Sequence, residues 1–180
     1  IREIGVERSK QLKINPLRPW DWQVDLKGRA PLRPFATTGQ MLDQTQRVFE
    51  RMDPSLAALF ASLRKPANGR AHLDLDSRKG KAPGGYQASL ERQRMPFIFM
   101  NAVGMQRDVE TIVHEAGHAF HALLCRTEPL MHYRNELPLE FAEVASMSME
   151  LLAQPFMEEY YSREDADRAR RAHLVELLAS

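Results

Sequence analysis

The spacing of apolar residues changes twice along this chain. In the first 65 positions the regular stretches are helical: after extended chain with Pro31 and Pro34, Met41, Thr45, Val48 and Met52, flanked by Leu42 and Phe49, form one face of a helix near residues 39–52. Asp53-Pro54-Ser55 punctuates, and Leu56, Leu59, Phe60 and Leu63 mark a shorter helix after it. The first dozen residues read as the tail of a helix, closed by the proline-rich stretch 15–20. From residue 70 the period shortens to two. Residues 72–76 and 86–90 alternate as half-buried strands do, and the apolar run 96–101 has the form of a more buried strand. The loop between the first two, residues 77–85, is rich in Gly and Lys. It lacks the Gly-Lys-Ser/Thr spacing of a phosphate cradle, and is expected to be a tight turn carrying basic side chains.

Helical spacing then returns. Asp108 is the expected N-cap of a helix to about Cys125, with the apolar face Val109, Ile112, Val113, Ala116, Phe120 and Leu123. A loop over 126–138 leads to a second helix over 139–153, in which Met147 and Met149, with Met157 beyond, read as core. Ser162-Arg163-Glu164-Asp165 has the form of a capping box and opens a third helix.

Composition narrows the function classes. The 180 residues are 43% hydrophobic and 27% charged, as in a globular protein. No run of apolar residues is long enough to span a membrane, and a single cysteine, Cys125, excludes an internal disulfide framework and fits a reducing compartment. The net charge of +1 gives no reason to expect nucleic acid as a partner. The sign is divided, however: residues 1–100 are basic and residues 101–180 acidic, and an acidic half is where a cation site would be sought. The chain opens at Ile1 without a signal-peptide pattern and closes at Ser180 inside a helical pattern, so it is expected to be an internal piece of a longer protein.

The chemistry concentrates in His114-Glu115-Ala116-Gly117-His118. Positions four apart on a helix differ by about 40° and one turn, so both imidazoles project from one face, as two ligands of one zinc ion must. Glu115 lies about 100° round: near enough to take a proton from a water held by the metal, too far round to be a third ligand. By composition such a pentad would occur about 0.02 times by chance. A catalytic site needs a third ligand and an open fourth position. Glu143, on the following helix and after a loop long enough to reverse direction, is the candidate. Glu140, one turn earlier, is suited to holding a ligand imidazole. His121 and Cys125 continue the face of the two histidines, but four ligands on one helix cannot converge on one ion. His121 therefore reads as a buried hydrogen-bonding group supporting the site, and Cys125 as a small apolar filler. Gly117, costly inside a helix by about 1 kcal/mol, implies close approach of another backbone. Two imidazoles and a carboxylate suit Zn2+, one per chain.

These segments, with Arg78 to Tyr86 and Pro96 to Asn101 before them and Glu140 to Met147 after, resemble the oligoendopeptidase F branch of the thimet-oligopeptidase-like zinc metallopeptidases, whose sites are of the gluzincin HExxH…E type. The resemblance implies a mainly α fold with a small β-sheet, a zincin-like catalytic core within a larger, mostly helical peptidase. Residues 1–69 would be a helical packing segment and residues 70–180 the zinc-binding core, together one incomplete domain. His114, His118 and Glu143 would bind zinc and Glu115 would be the general base of a cytoplasmic metalloendopeptidase. Its partners would be oligopeptide substrates and the rest of the parent polypeptide, with neither nucleic acid nor membrane. Ala116 departs from the large residue usual there.

Zinc peptidases often hold an extended substrate against a sheet edge, and the strand 96–101, through Phe99 and Asn101, is the first choice; Gly84, Gly85 and Tyr86 are the second. The family's oxyanion-stabilising His and Tyr lie beyond Ser180, so these residues are expected to bind zinc better than they turn over peptide. Turnover by this chain alone would require a donor among Tyr86, His132, Tyr133, Tyr160 and Tyr161. The competing reading is a catalytically silent zinc-binding piece that binds peptides or serves structure; Glu115 argues against it, since a structural site has no use for a base.

Overall fold

The computed structural model describes residues 2–65, 72–131, 134 and 137–179. Its elements follow the sequence periods in order: helices α1 (Arg2–Leu12), α2 (Thr38–Met52) and α3 (Pro54–Arg64), strands β1 (Leu73–Asp76), β2 (Tyr86–Leu90) and β3 (Met95–Ala102), then helices α4 (Gln106–Cys125), α5 (Leu139–Ala153) and α6 (Arg163–Ala179). Short 3-10 turns occupy Pro19–Gln23 and Gln154–Glu159. The fold is mainly α with one small sheet.

Local chemistry sets the boundaries. Thr37 caps α2 by accepting from the Gln40 amide at 3.1 Å. Asp53 ends α2 and starts α3, its carboxylate taking the Ser55 amide at 2.7 Å with Pro54 in the first turn. Helix α4 begins two residues before the expected Asp108. That residue is the third of the helix, and its carboxylate reaches back to the amides of Val103 and Met105, at 2.8 Å each. An acid at this position satisfies donors ahead of the helix, so the residue type marked the right turn and the wrong place within it.

The sheet order is β1-β3-β2, with β1 parallel and β2 antiparallel to β3. The strand expected to offer its edge to a substrate is therefore central: Phe99 pairs with Asp74 on one side and Tyr86 on the other. The open edges belong to β1 and β2. Strand β3 alternates as a half-buried strand should, with Ile98, Met100 and Ala102 buried. The core runs on without a break into Val109, Ile112, Val113, Ala116 and Phe120 of α4, Met41, Val48 and Phe49 of α2, and Phe60 of α3. Phe49 is its hinge point, meeting Phe60 at 5.1 Å and the edge of Phe120 at 4.9 Å between ring centres.

The Gly- and Lys-rich loop turns one cation inward. The Lys81 side chain is 1% exposed, and its ammonium donates to the carbonyls of Asp74 (3.0 Å) and Asp76 (2.8 Å), to the carbonyl of Met100, and to the Asp74 carboxylate at 3.1 Å. It also lies 4.4 Å above the Phe99 ring, whose other neighbour is the stacked ring of Tyr86 at 4.9 Å. Lys81 thus fastens the loop to the sheet and is not a surface charge.

Candidate metal centre

Helix α4 packs between the sheet and α5. Its two sides serve different ends: Ala116, Ala119, Phe120 and Leu123 bury apolar surface, while His114 and His118 face α5. The two helices touch backbone to backbone. A Cβ on Gly117 would lie 2.6 Å from Ser146 Cα and 2.8 Å from the Ala145 carbonyl oxygen, distances that real Cβ contacts do not reach. Glycine at 117 and the small residues Ala145 and Ser146 therefore let α5 come close enough for its carboxylates to meet the histidines.

Glu143 is the residue that meets them. One of its carboxylate oxygens lies 3.3 Å from His114 Nε2 and 3.7 Å from His118 Nε2, and the three donors all fall within 4.8 Å of one another. Tetrahedral zinc with bonds of about 2.0–2.1 Å spaces its ligand atoms about 3.3–3.4 Å apart; the His114–Glu143 pair has that spacing, the His118–Glu143 pair is slightly wider, and the donor types suit that ion. The imidazoles stand nearly perpendicular, 82° between planes with centres 4.9 Å apart, so their lone pairs converge without stacking. Ser146 steadies the third donor through a 2.7 Å hydrogen bond to the Glu143 carboxylate.

The other nitrogen of His114, Nδ1, meets Glu150 at 2.5 Å. A carboxylate there holds the ring in the tautomer that leaves the Nε2 lone pair free. The same contact raises the pKa of His114 above the ordinary imidazole value, against the opposing effect of burial. His118 shifts the other way, first because it is buried and then because His114 is beside it. Glu150 was not singled out by sequence, although the signal existed: positions 143 and 150 are seven apart, which returns a helix to nearly the same face after two turns. The residues expected in that supporting role sit elsewhere. Glu140 is exposed on the first turn of α5, and His121 is half-buried on α4.

Glu115 is 7% exposed and turns toward β2, where the main chain of Gln87 is a hydrogen-bond partner. Burial raises its pKa, an effect opposed by His114 and by that hydrogen bond. Gly85 lies in the same seam: a Cβ there would come within 2.6 Å of the Thr111 methyl of α4. The expected substrate segment Gly84, Gly85 and Tyr86 is thus the approach to the open strand β2, beside Glu115. Asn101 is occupied, its amide tying down the carbonyls of Ala82 and Gly84, and the Phe99 side chain is enclosed by Lys81 and Tyr86.

Among the aromatic and imidazole donors considered for an oxyanion, Tyr160 is excluded. It is buried and donates to Thr45 at 2.7 Å in the core. The Tyr161 hydroxyl is buried with no hydrogen-bond partner among the described residues, Tyr86 is half exposed at the head of β2, and His132 and Tyr133 lie outside the described residues. Met147, expected in the core, is 42% exposed on α5. No helix of the described residues is long and apolar enough to cross a membrane.

Comparison with known proteins gives one consistent answer. The sequence profile of peptidase family M3 matches residues 2–178. The mitochondrial intermediate peptidase of Arabidopsis thaliana is 34% identical over 104 residues, 47% of this chain and 15% of that protein. The oligopeptidase PepF of Bacillus subtilis is 29% identical over 116 residues, 64% of this chain and 16% of that protein. A structure described as oligoendopeptidase F from Bacillus anthracis superposes with a TM-score of 0.82 at 28% identity, over 96% of this chain and 30% of that one. PZ peptidase A, solved with an inhibitor, gives 0.83 at 29% identity, over 97% of this chain and again 30% of that one. The chain therefore spans less than a third of the solved structures it matches. It belongs to peptidase family M3, within which it resembles the oligoendopeptidase F branch.

Proposed function

We propose that this chain carries the metal-binding half of a zinc metalloendopeptidase that cleaves short oligopeptides in the cytoplasm, as part of a longer polypeptide. One observation carries the reading: three donors from two helices converge within 4.8 Å of one another, with a buried carboxylate next to one of them.

His114, His118 and Glu143 would hold the ion, leaving one position open. Bound there, zinc supplies Lewis acidity, polarising a scissile carbonyl and lowering the pKa of a coordinated water. The remaining work falls to protein groups. Glu115, whose burial favours the protonated form, receives the proton of the attacking water on its carboxylate and later delivers it to the leaving amine. Glu150 holds His114 through Nδ1, and Ser146 holds Glu143. An extended peptide would lie along the open edge of β2, whose main chain at Gln87 already faces Glu115.

Replacing Glu115 by Gln tests the assignment. Cleavage of an internally quenched oligopeptide by the zinc-loaded protein should fall about 10²–10⁴-fold while one zinc per chain stays bound. Undiminished cleavage would remove Glu115 from the mechanism. Zinc binding with no turnover in the unaltered parent protein would favour the silent zinc-binding alternative.

A further inference from the structure

The contacts of His114 do not stop at Glu150. The second carboxylate oxygen of Glu150 lies 3.3 Å from Nε2 of His173, on α6. The other nitrogen of that ring, Nδ1, lies 3.6 Å from Glu110 of α4, one turn before His114. Glu110 in turn accepts from the Gln106 amide at 2.7 Å, and Gln106 also donates to the Ala169 carbonyl of α6 at 3.2 Å. His173 is 4% exposed, and the side chains of Glu150 and Glu110 are 13% and 16% exposed. His173 Nε2 makes no hydrogen bond among the described residues, so its contact with Glu150 is one of close approach between polar groups.

Two carboxylates so shielded repel each other unless a polar group that carries or shares positive charge stands between them. His173 is the group in that place. Glu110 and Glu150 hold its pKa above the ordinary imidazole value, against the cost of burial. A Glu150 carboxylate freed of this neighbour is free to rotate, and His114 then loses a fixed acceptor.

On the reading that His114, His118 and Glu143 hold a metal, we infer that His173 is a positioning residue: clamped between Glu110 and Glu150, it fixes the Glu150 carboxylate so that His114 offers Nε2 to the ion. It touches neither ligands nor substrate. The clamp ties α6 to the metal site, so the last helix contributes to the chemistry without supplying a ligand.

The test compares zinc dissociation constants, read by competition with a chromogenic chelator, for the unaltered protein, His173→Leu, His173→Gln, His114→Ala and His72→Leu. The absorption spectrum of the Co2+-substituted proteins is a second readout, and circular dichroism checks folding. His173→Leu should weaken zinc about 10–100-fold and shift the cobalt bands, and His173→Gln, which keeps a donor, should weaken it only about threefold. His72, buried beside β1 and outside this network, should leave both readouts unchanged when replaced. A His173→Leu protein with zinc affinity within twofold of the parent and a superimposable cobalt spectrum overturns the inference. Should that variant not fold, His173→Gln within twofold of the parent overturns it. Loss of zinc in His114→Ala alone refutes the clamp and leaves the metal site standing, whereas a folded parent protein that binds no zinc refutes both.

Discussion

Helices α4 and α5 lie side by side and obey opposite rules. Helix α4 buries Val109, Ile112, Val113, Ala116, Phe120 and Leu123 and sends its histidines to one flank, as its apolar spacing foretells. In α5 only Ser146 and Ala153 are fully buried. Of its large apolar residues Met149 packs against the core, while Leu139, Phe141, Val144, Leu151 and Leu152 are 50–71% exposed, and the side against α4 carries the small residues Ala145 and Ser146 with Glu143 and Glu150. A helix that brings carboxylates against imidazoles needs small residues where it meets its neighbour's backbone. Bulky inward residues would hold the donors too far apart to share an ion.

The comparison can be broken most directly from the α4 side. Phe120→Ala removes a ring that fills the space against Phe49, and should cost about 3–5 kcal/mol in urea unfolding. A loss below about 1 kcal/mol would mean that α4 is not the core helix described. At the seam itself, Gly117→Ala forces α4 and α5 apart, because the new methyl meets backbone and not a yielding side chain. The expected cost is about 1–3 kcal/mol, with zinc affinity falling in parallel. Unchanged zinc binding would separate the helix spacing from the metal site.

The sheet offers a third measure, sharpened by pH. Asp74 is bound by Arg78 and Lys81, and these hold its pKa down at about 2. A depressed carboxylate contributes stability above its unfolded value, and the contribution is lost as pH falls through the folded one. Asp74→Asn should therefore cost about 1 kcal/mol at pH 7, with the difference from the parent closing between pH 4 and pH 2. A gap as large at pH 2 as at pH 7 would show that the carboxylate charge is not its source. Smallest of all, Val144→Ser on the outer face of α5 should change stability by less than about 0.5 kcal/mol. A larger loss would show that this face is covered in the protein as it exists.

The same contrast separates what can be read along the chain from what cannot. The histidine pair lies within one helical turn, so periodicity alone places both rings on one side. Gly117 announced close packing because glycine is expensive in a helix unless something approaches it. Glu143 needed one further assumption, an antiparallel neighbour. Helix α5 kept its expected boundaries and yet defeated the rule that apolar means inside, as Met147 shows.

Residue types and local spacing thus determined on their own the order of helices and strands, the paired imidazoles with the acid between them, and the family these motifs mark. Only the tertiary structure decided that β3 is central and β2 the open edge, because strand order depends on pairing between distant segments. It also turned Lys81 inward onto three carbonyls, chose Glu150 over Glu140 as the partner of His114, and brought His173 from the last helix into the line behind it. Each of these was settled by groups far apart in the chain that had to satisfy one another's charge or hydrogen-bonding capacity once water was excluded, a condition that no local pattern encodes.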